Sequence, residues 1–236
     1  MTIMKKTKIF TIGALSLSLL LSAGCNSMTN MGKGALIGGG GGAGLGAGIG
    51  ALIGGGKGAG IGAAIGAAVG AGAGTLIGRK MDKQKQELER QLADKAAVET
   101  VTDQNGLEAI KVTFNSGILF PTNGTTLNTA ERQSLAGFAS NLINNPETNV
   151  QIFGYTDNTG SMQVNERVST GRADAVRNFL VNSGVSAARV TAQGIPMADY
   201  VASNDTAEGR AQNRRVEIYI TANQKMIQQA ENGTLK

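Results

Sequence analysis

From Gly34 to Gly78 every fourth residue is glycine, twelve in succession, with Ala, Ile, Leu and Val filling most places between them. A flexible spacer has no reason to keep such a register. A helix does, because glycines at i, i+4 and i+8 make a groove that a second backbone can approach closely. A period of four exceeds 3.6, so the glycine line drifts ~40° per repeat and winds around one long helix. Two shorter helices avoid that drift, and Gly54-Gly55-Gly56-Lys57-Gly58 is the natural turn between them. Residues 34–78 are therefore expected to form a glycine-zipper helical hairpin or oligomerising pair, with arms 34–53 and 58–78 associated with a membrane. Each arm of ~20 residues is just long enough to span a bilayer, and surface association is equally open. A disordered spacer is the competing reading, since glycine costs ~1 kcal/mol per helical position relative to alanine.

The segment ahead of the zipper has the three parts of an export signal. Lys5, Lys6 and Lys8 precede a mostly apolar run, Ile9 to Leu21, that closes on the small residues Leu21-Ser22-Ala23-Gly24-Cys25. That run is shorter than the ~18–20 residues of a spanning helix. Residues 1–24 are expected to be a signal peptide, with 25–33 the start of the mature chain. Leu-Ser-Ala-Gly-Cys resembles the lipobox of bacterial lipoproteins, which implies cleavage before Cys25 and a covalent lipid on its thiol. Each buried methylene of that lipid would add ~0.8 kcal/mol of membrane affinity.

Lipidation would consume the single cysteine and leave no intrachain disulfide. With no histidine in the chain, Ser-His-Asp and Cys-His nucleophile systems and His/Cys zinc sites are excluded. No catalytic residues, metal or cofactor are expected. Loss of the leader also takes three lysines from the +5 balance, so the basicity is no argument for a nucleic-acid partner.

Residues 79–98 turn abruptly polar. Met81, Leu88 and Leu92 make a thin apolar stripe, with Lys83/Glu87, Lys85/Glu89 and Arg90/Asp94 at i,i+4. The expectation is an exposed, charged helical linker. Residues 99–222 have ordinary globular composition. Strands are read at 110–114, 150–153, 189–192 and 216–220, and helices at 128–142 and 163–182. Strands alternating with helices of that length predict an α+β class domain, an α/β sandwich in the order β-α-β-α-β-β. The loop 195–209 is expected to be mobile, and 223–236 a polar tail.

One block carries chemistry. Gly154-Tyr155-Thr156-Asp157-Asn158-Thr159-Gly160 sets a carboxylate at a strand-to-helix turn, and Asn165 and Arg172 follow on the helix. A carboxylate and a guanidinium across a pocket suit a ligand with an ammonium and a carboxylate close together. Taken singly, Asp157 reads equally as a turn organiser and Arg172 as a solvated helix position. Arg214 and Arg215 read as edge-strand charges.

Together with Ser169, Ala173, Val176, Leu180, Gly184-Val185, Gly194 and Gly209-Arg210-Ala211-Gln212-Asn213-Arg214-Arg215-Val216-Glu217-Ile218, that block resembles the OmpA-like (OmpA/Pal/MotB) peptidoglycan-associating domain. With the lipobox and zipper, the likeness is to OmpA-family lipoproteins of the YiaD type. The resemblance implies noncovalent binding of the diaminopimelate side chain of peptidoglycan stems. Asp157 would take its ammonium and Arg172 its carboxylate. Asn165 and backbone amides near Thr156 would complete the cradle, with Asn123 and Arg215 lining it. Pro121 stands where many members carry an acid, and Tyr155 where many carry histidine.

The resemblance further implies an outer-membrane, lipid-anchored protein with its C-terminal domain in the periplasm and two partners, peptidoglycan and outer-membrane lipid. A homo-oligomer through the zipper is the third expected association. The alternative is a zipper oligomer or pore former that the C-terminal domain merely positions. A stator-like channel subunit is disfavoured, because no acid lies between Gly34 and Gly78.

Overall fold

The computed structural model describes residues 71–236 apart from 104–105 and 122. The expected signal peptide, Cys25 and the zipper through residue 70 lie outside the described residues.

The described chain opens with helix α1 (Ala71–Gln91) and the antiparallel strands β1 (Ala97–Thr102) and β2 (Glu108–Asn115). A short helix α2 (Ser116–Leu119), helix α3 (Arg132–Asn144), strand β3 (Thr148–Tyr155) and helix α4 (Met162–Asn182) follow. Strand β4 (Val190–Ile195), helix α5 (Ala207–Asn213), strand β5 (Arg215–Ala222) and helix α6 (Gln224–Glu231) complete it. The sheet runs β1-β2-β5-β3-β4. Its pairs are antiparallel except β3 with β4. The predicted β-α-β-α-β-β order is therefore present as β2-α3-β3-α4-β4-β5.

Strand β5 lies at the centre, bonded to β2 and β3. Its alternation divides the molecule into layers. Val216, Ile218 and Ile220 face the main core with Phe114, Phe138, Leu142, Ile152 and Val176. Arg215, Glu217 and Tyr219 face the other side, where Val101, Phe153, Tyr155 and Ile195 form a smaller cluster. On that side the Arg215 guanidinium sits 3.8 Å over the Tyr155 ring and donates from Nε to Glu217 Oε1 at 2.7 Å. The Tyr219 hydroxyl donates to Glu217 Oε2 at 2.8 Å. Burial first, then the Glu217 charge, push the hydroxyls of Tyr155 and Tyr219 well above the usual phenol range.

Three expectations at the margins are corrected. The 79–98 segment is not an exposed linker. Ile77, Met81, Gln84, Leu88 and Leu92 are buried, and α1 packs on α6, β2, α3 and β1. Their spacing of four, three, four and four makes one helix face, and strong helix formers fill the rest. The helix stops before Asp94, which takes a left-handed conformation (φ 65°). A thin stripe suffices here because the sheet supplies the opposing surface, and β1 begins inside the range read as linker. The 223–236 segment is no featureless tail. Asn223 caps α6 by accepting from the Met226 amide at 3.0 Å, and Met226, Ile227 and Ala230 are buried against the core.

The third correction concerns the 195–209 loop, which is laced down. Asn213 Oδ1 accepts from the amides of Val201 and Ala202, and its Nδ2 donates to the Ala202 carbonyl. Met197 donates its amide to Thr156 Oγ1 at 3.0 Å, and Arg215 Nη2 reaches the Asp199 carbonyl at 2.9 Å. Helix α5 with its Thr206 cap ends the loop. Polar composition concealed the hydrogen bonds that side chains outside the loop make to its backbone.

Candidate functional site: a charged cleft at the end of strand β3

Strand β3 ends at Tyr155, and Thr156 and Asp157 lead into a turn that Ser161 closes as the N-cap of α4. Helix α4 lies on β3 and β4 at very close range. A Cβ on Gly154 would stand 2.3 Å from the Ser169 carbonyl oxygen, and one on Gly194 would stand 2.5 Å from the Thr170 amide. Only glycine permits that approach. It brings Asn165 and Arg172, two helical turns apart on the same face of α4, up to the end of the strand.

The Asp157 carboxylate, 4% exposed, accepts three hydrogen bonds. Oδ1 accepts from the amide of Thr159 at 2.9 Å and from its hydroxyl, and Oδ2 accepts from Arg214 Nη1 at 2.6 Å. Burial alone would raise this carboxyl. The Thr159 hydroxyl, the Arg214 guanidinium and the Thr159 amide outweigh burial and hold it below the usual carboxylate range. The carboxylate is thus the form present at neutral pH.

Arg172 is also 4% exposed. Its Nε donates to the Gly124 carbonyl at 3.0 Å, and its guanidinium lies 5.4 Å from the centre of the Phe120 ring. Burial, then the Arg214 charge, lower its basicity, and Asp157 partly restores it. Among the described residues Arg172 and Asp157 form no ion pair with each other.

Both line one cleft of 760 Å³, together with Thr156, Asn165, Asn123, Phe120, Pro121, Val164, Val168 and Arg214. Asn165 Nδ2 donates to the carbonyls of Thr159 (2.7 Å) and Ser161 (3.1 Å), which locks the turn and leaves its Oδ1 as the acceptor. Asn123 holds a left-handed turn conformation (φ 56°) in the segment that carries the Gly124 carbonyl. Five of the six residues expected at the site therefore meet in the cleft.

Arg215 does not. Its side chain is on the opposite side of the sheet, stacked on Tyr155 and paired with Glu217, and Arg214 stands in the cleft instead. Neither arginine guards an edge strand, since β5 is central. Strand parity held the signal: Arg214 shares parity with Val216, Ile218 and Ile220 on the helix-covered side, whereas Arg215 goes with Glu217 and Tyr219. Sequence reasoning also missed Ser116, which is 2% exposed, lines the cleft and has an Oγ without a hydrogen-bond partner among the described residues. Its position at the start of α2 left no periodic mark.

The cleft sets one carboxylate against the guanidiniums of Arg167, Arg172 and Arg214, beside an apolar wall of Phe120, Pro121, Val164 and Val168. That charge set suits a carboxylate-bearing ligand, with one place for an ammonium. Sheet, helices and cleft together define an OmpA-like domain.

The model of the OmpA family matches residues 119–214, and a second model, YMGG-like Gly-zipper, matches residues 4–82. Probable lipoprotein YiaD of Escherichia coli strain K12 is 39% identical over 145 residues, 61% of this chain and 64% of that protein. Peptidoglycan-binding protein ArfA of Mycobacterium bovis is 40% identical over 112 residues, 48% of this chain and 34% of that protein. This chain thus spans less than two thirds of either relative's length. The cell wall anchor of the T6SS from Pseudomonas aeruginosa superposes with a TM-score of 0.51 at 31% identity, covering 58% of this chain and 99% of that one.

Proposed function

We propose that this protein is a lipid-anchored tether of the outer membrane, holding peptidoglycan noncovalently through the diaminopimelate of its stem peptides. The observation that carries the reading is that Asp157 and Arg172 face one cleft without pairing with each other. A free diaminopimelate end presents an ammonium and a carboxylate on one carbon. Asp157 receives the ammonium and Arg172 the carboxylate, while Phe120 and Val164 pack the methylene chain. The Asn165 Oδ1 and the Ser116 hydroxyl supply further partners. Each charge-assisted bond contributes ~1.5–3 kcal/mol. Relatives named as a lipoprotein and as a peptidoglycan-binding protein support the reading.

Cys25 carries the lipid, and the domain works in the periplasm. Modest affinity at each site suffices, because confinement of both partners to facing surfaces raises their effective concentration. The chemistry is binding alone.

Retention on purified sacculi tests this. Asp157→Ala and Arg172→Ala should each weaken retention ~10–100-fold, which corresponds to ~1.5–3 kcal/mol. Wild-type retention by both variants would sink the assignment.

A further inference from the structure

The cleft at the end of β3 holds more positive charge than a diaminopimelate end can use. Asp157 is the one acid in its wall, against Arg167, Arg172 and Arg214. An ammonium and a carboxylate on one carbon bring no net charge, so an excess of positive charge stays in place when that end is bound. The excess is felt inside the cleft: after burial, the Arg214 charge is what lowers the basicity of Arg172.

The three arginines are not equally free. Arg214 gives an N–H to Asp157, and Arg172 gives one to the Gly124 carbonyl with its guanidinium near the Phe120 ring. Arg167 makes no ion pair or side-chain hydrogen bond among the described residues. An exposed arginine on a helix is ordinarily solvated, and it commonly meets an acid one turn away. Here the positions three and four residues to either side hold Gln163, Val164, Thr170 and Gly171, none of them acidic.

Two of those neighbours fix which way this side of α4 faces. Val164 lies in the cleft wall. A Cβ on Gly171 would stand 2.9 Å from Thr125 Cγ2, against the segment that carries Asn123 and Gly124. Arg167 is thus an exposed cation at the mouth of the cleft, with Arg172 enclosed further along α4. The two are five residues apart, a rise of ~7.5 Å on the helix.

We propose that Arg167 reads a second carboxylate of the stem peptide, carried by the residue that precedes diaminopimelate. A glutamate joined to diaminopimelate through its side-chain carboxyl keeps its α-carboxylate free. The methylene chain and amide link between the two carboxylates reach further than the helical rise when extended, so both can be met at once. The amide of that glutamate, isoglutamine, offers Arg167 no charge. The cleft therefore favours stem peptides that are not amidated at this position. The inference rests on the peptidoglycan reading of the same cleft and adds to it the residue that reads the neighbouring position.

The test is calorimetric titration of the full chain, held in a nonionic detergent, with two synthetic peptides. One is N-acetyl-L-alanyl-γ-D-glutamyl-meso-diaminopimelyl-D-alaninamide, and the other carries the glutamyl α-carboxylate as its amide. The first should bind ~3–5-fold tighter, the upper part of the range for an exposed charge pair. That difference should shrink as salt rises. Arg167→Gln, at an exposed helix position, should bring the acid peptide down to the level of its amide. Arg167→Glu should reverse the order. Arg172→Ala should weaken both peptides alike, because it acts on the part they share.

Equal binding of the two peptides by the wild type overturns the inference, and so does an undiminished preference in Arg167→Gln. If Arg172→Ala still weakens both peptides, the peptidoglycan reading then stands without it. Wild-type binding of both peptides by Arg172→Ala removes that reading of the cleft, while a preference that depends on Arg167 still leaves the carboxylate reader. No binding of either peptide removes both.

Discussion

Arg214 Nη1 lies 2.6 Å from Asp157 Oδ2, so the carboxylate of the cleft is held by the residue that caps α5 just ahead of the central strand, 57 positions away in sequence. Arg172, on the neighbouring helix, keeps its guanidinium edge for the cleft. The two arginines thus divide the work: one aims the carboxylate, the other waits for a partner.

Arg214→Gln should therefore weaken binding of a soluble stem-peptide fragment by ~3–10-fold, less than Asp157→Ala does. The variant loses a guanidinium available to the ligand, while Thr159 still holds Oδ1. Its side chain is 41% exposed, so the loss of the ion pair should cost under ~1 kcal/mol of folding stability. Calorimetry and urea unfolding read the two effects separately. Unchanged affinity would mean that Thr159 alone positions Asp157.

Close packing of α4 on the sheet makes Gly154 a sharp test of the architecture. A methyl group there meets the Ser169 backbone carbonyl at 2.3 Å, so the helix must move. Gly154→Ala should cost ~2–3 kcal/mol by overpacking and displace Arg172 from the cleft. Urea unfolding and sacculus retention should both fall. A stable variant with full retention would show that α4 can shift without consequence for the site.

Docking of α1 predicts that the domain does not end where its globular composition begins. Leu88→Ala should destabilise the domain by ~2–4 kcal/mol, the range for a buried leucine. Gln86→Ala, two residues away on the exposed side of the same helix, should change stability by less than ~0.5 kcal/mol. Chemical unfolding of the two variants makes the comparison. Equal, small effects would return α1 to the role of a spacer.

Glu108, at the start of β2, faces α1 beside Gly78 and close to Asp82. Burial, then the neighbouring Asp82 carboxyl, push its carboxyl up to about 6, against the pull of Lys85. The folded state therefore takes the proton more readily than the unfolded chain does. Stability should rise as pH falls through 6 towards the ordinary glutamate range, and fall as pH climbs back through it. Solvent screening limits the change to under ~1 kcal/mol. Glu108→Gln should raise the melting temperature slightly at pH 7 and flatten its rise between pH 7 and 4.5. An unaltered profile in the variant would assign the effect elsewhere.

The central strands and both long helices were legible in the sequence, because Ile110–Phe114, Val150–Phe153 and the 128–142 and 163–182 faces carry clean periodicity. Asp157, Asn165 and Arg172 were legible because they sit at fixed offsets around a single turn, while Thr156 and Asn123 came only with the resemblance to the OmpA-like domain. What escaped were elements whose burial depends on a distant partner. Met81, Leu88 and Leu92 look like too little for a core until β2 and α6 lie against them. Met226 and Ile227 are two apolar residues in a polar run until α1 covers them. The exchange of Arg215 for Arg214 has a different origin, since adjacent residues on a strand point to opposite sides of the sheet and the motif does not say which side the cleft is on.

Helix α1 makes its buried contacts lengthwise, from Ala73 to Leu92, a distance of ~28 Å at 1.5 Å per residue. A pull along that axis from the zipper end would have to shear those contacts together, whereas a helix fastened only at its tip would peel away contact by contact. A protein strung between a membrane and a wall under turgor would thus meet tension with its strongest mode of resistance, and the joint between anchor and grip would not be the first part to give.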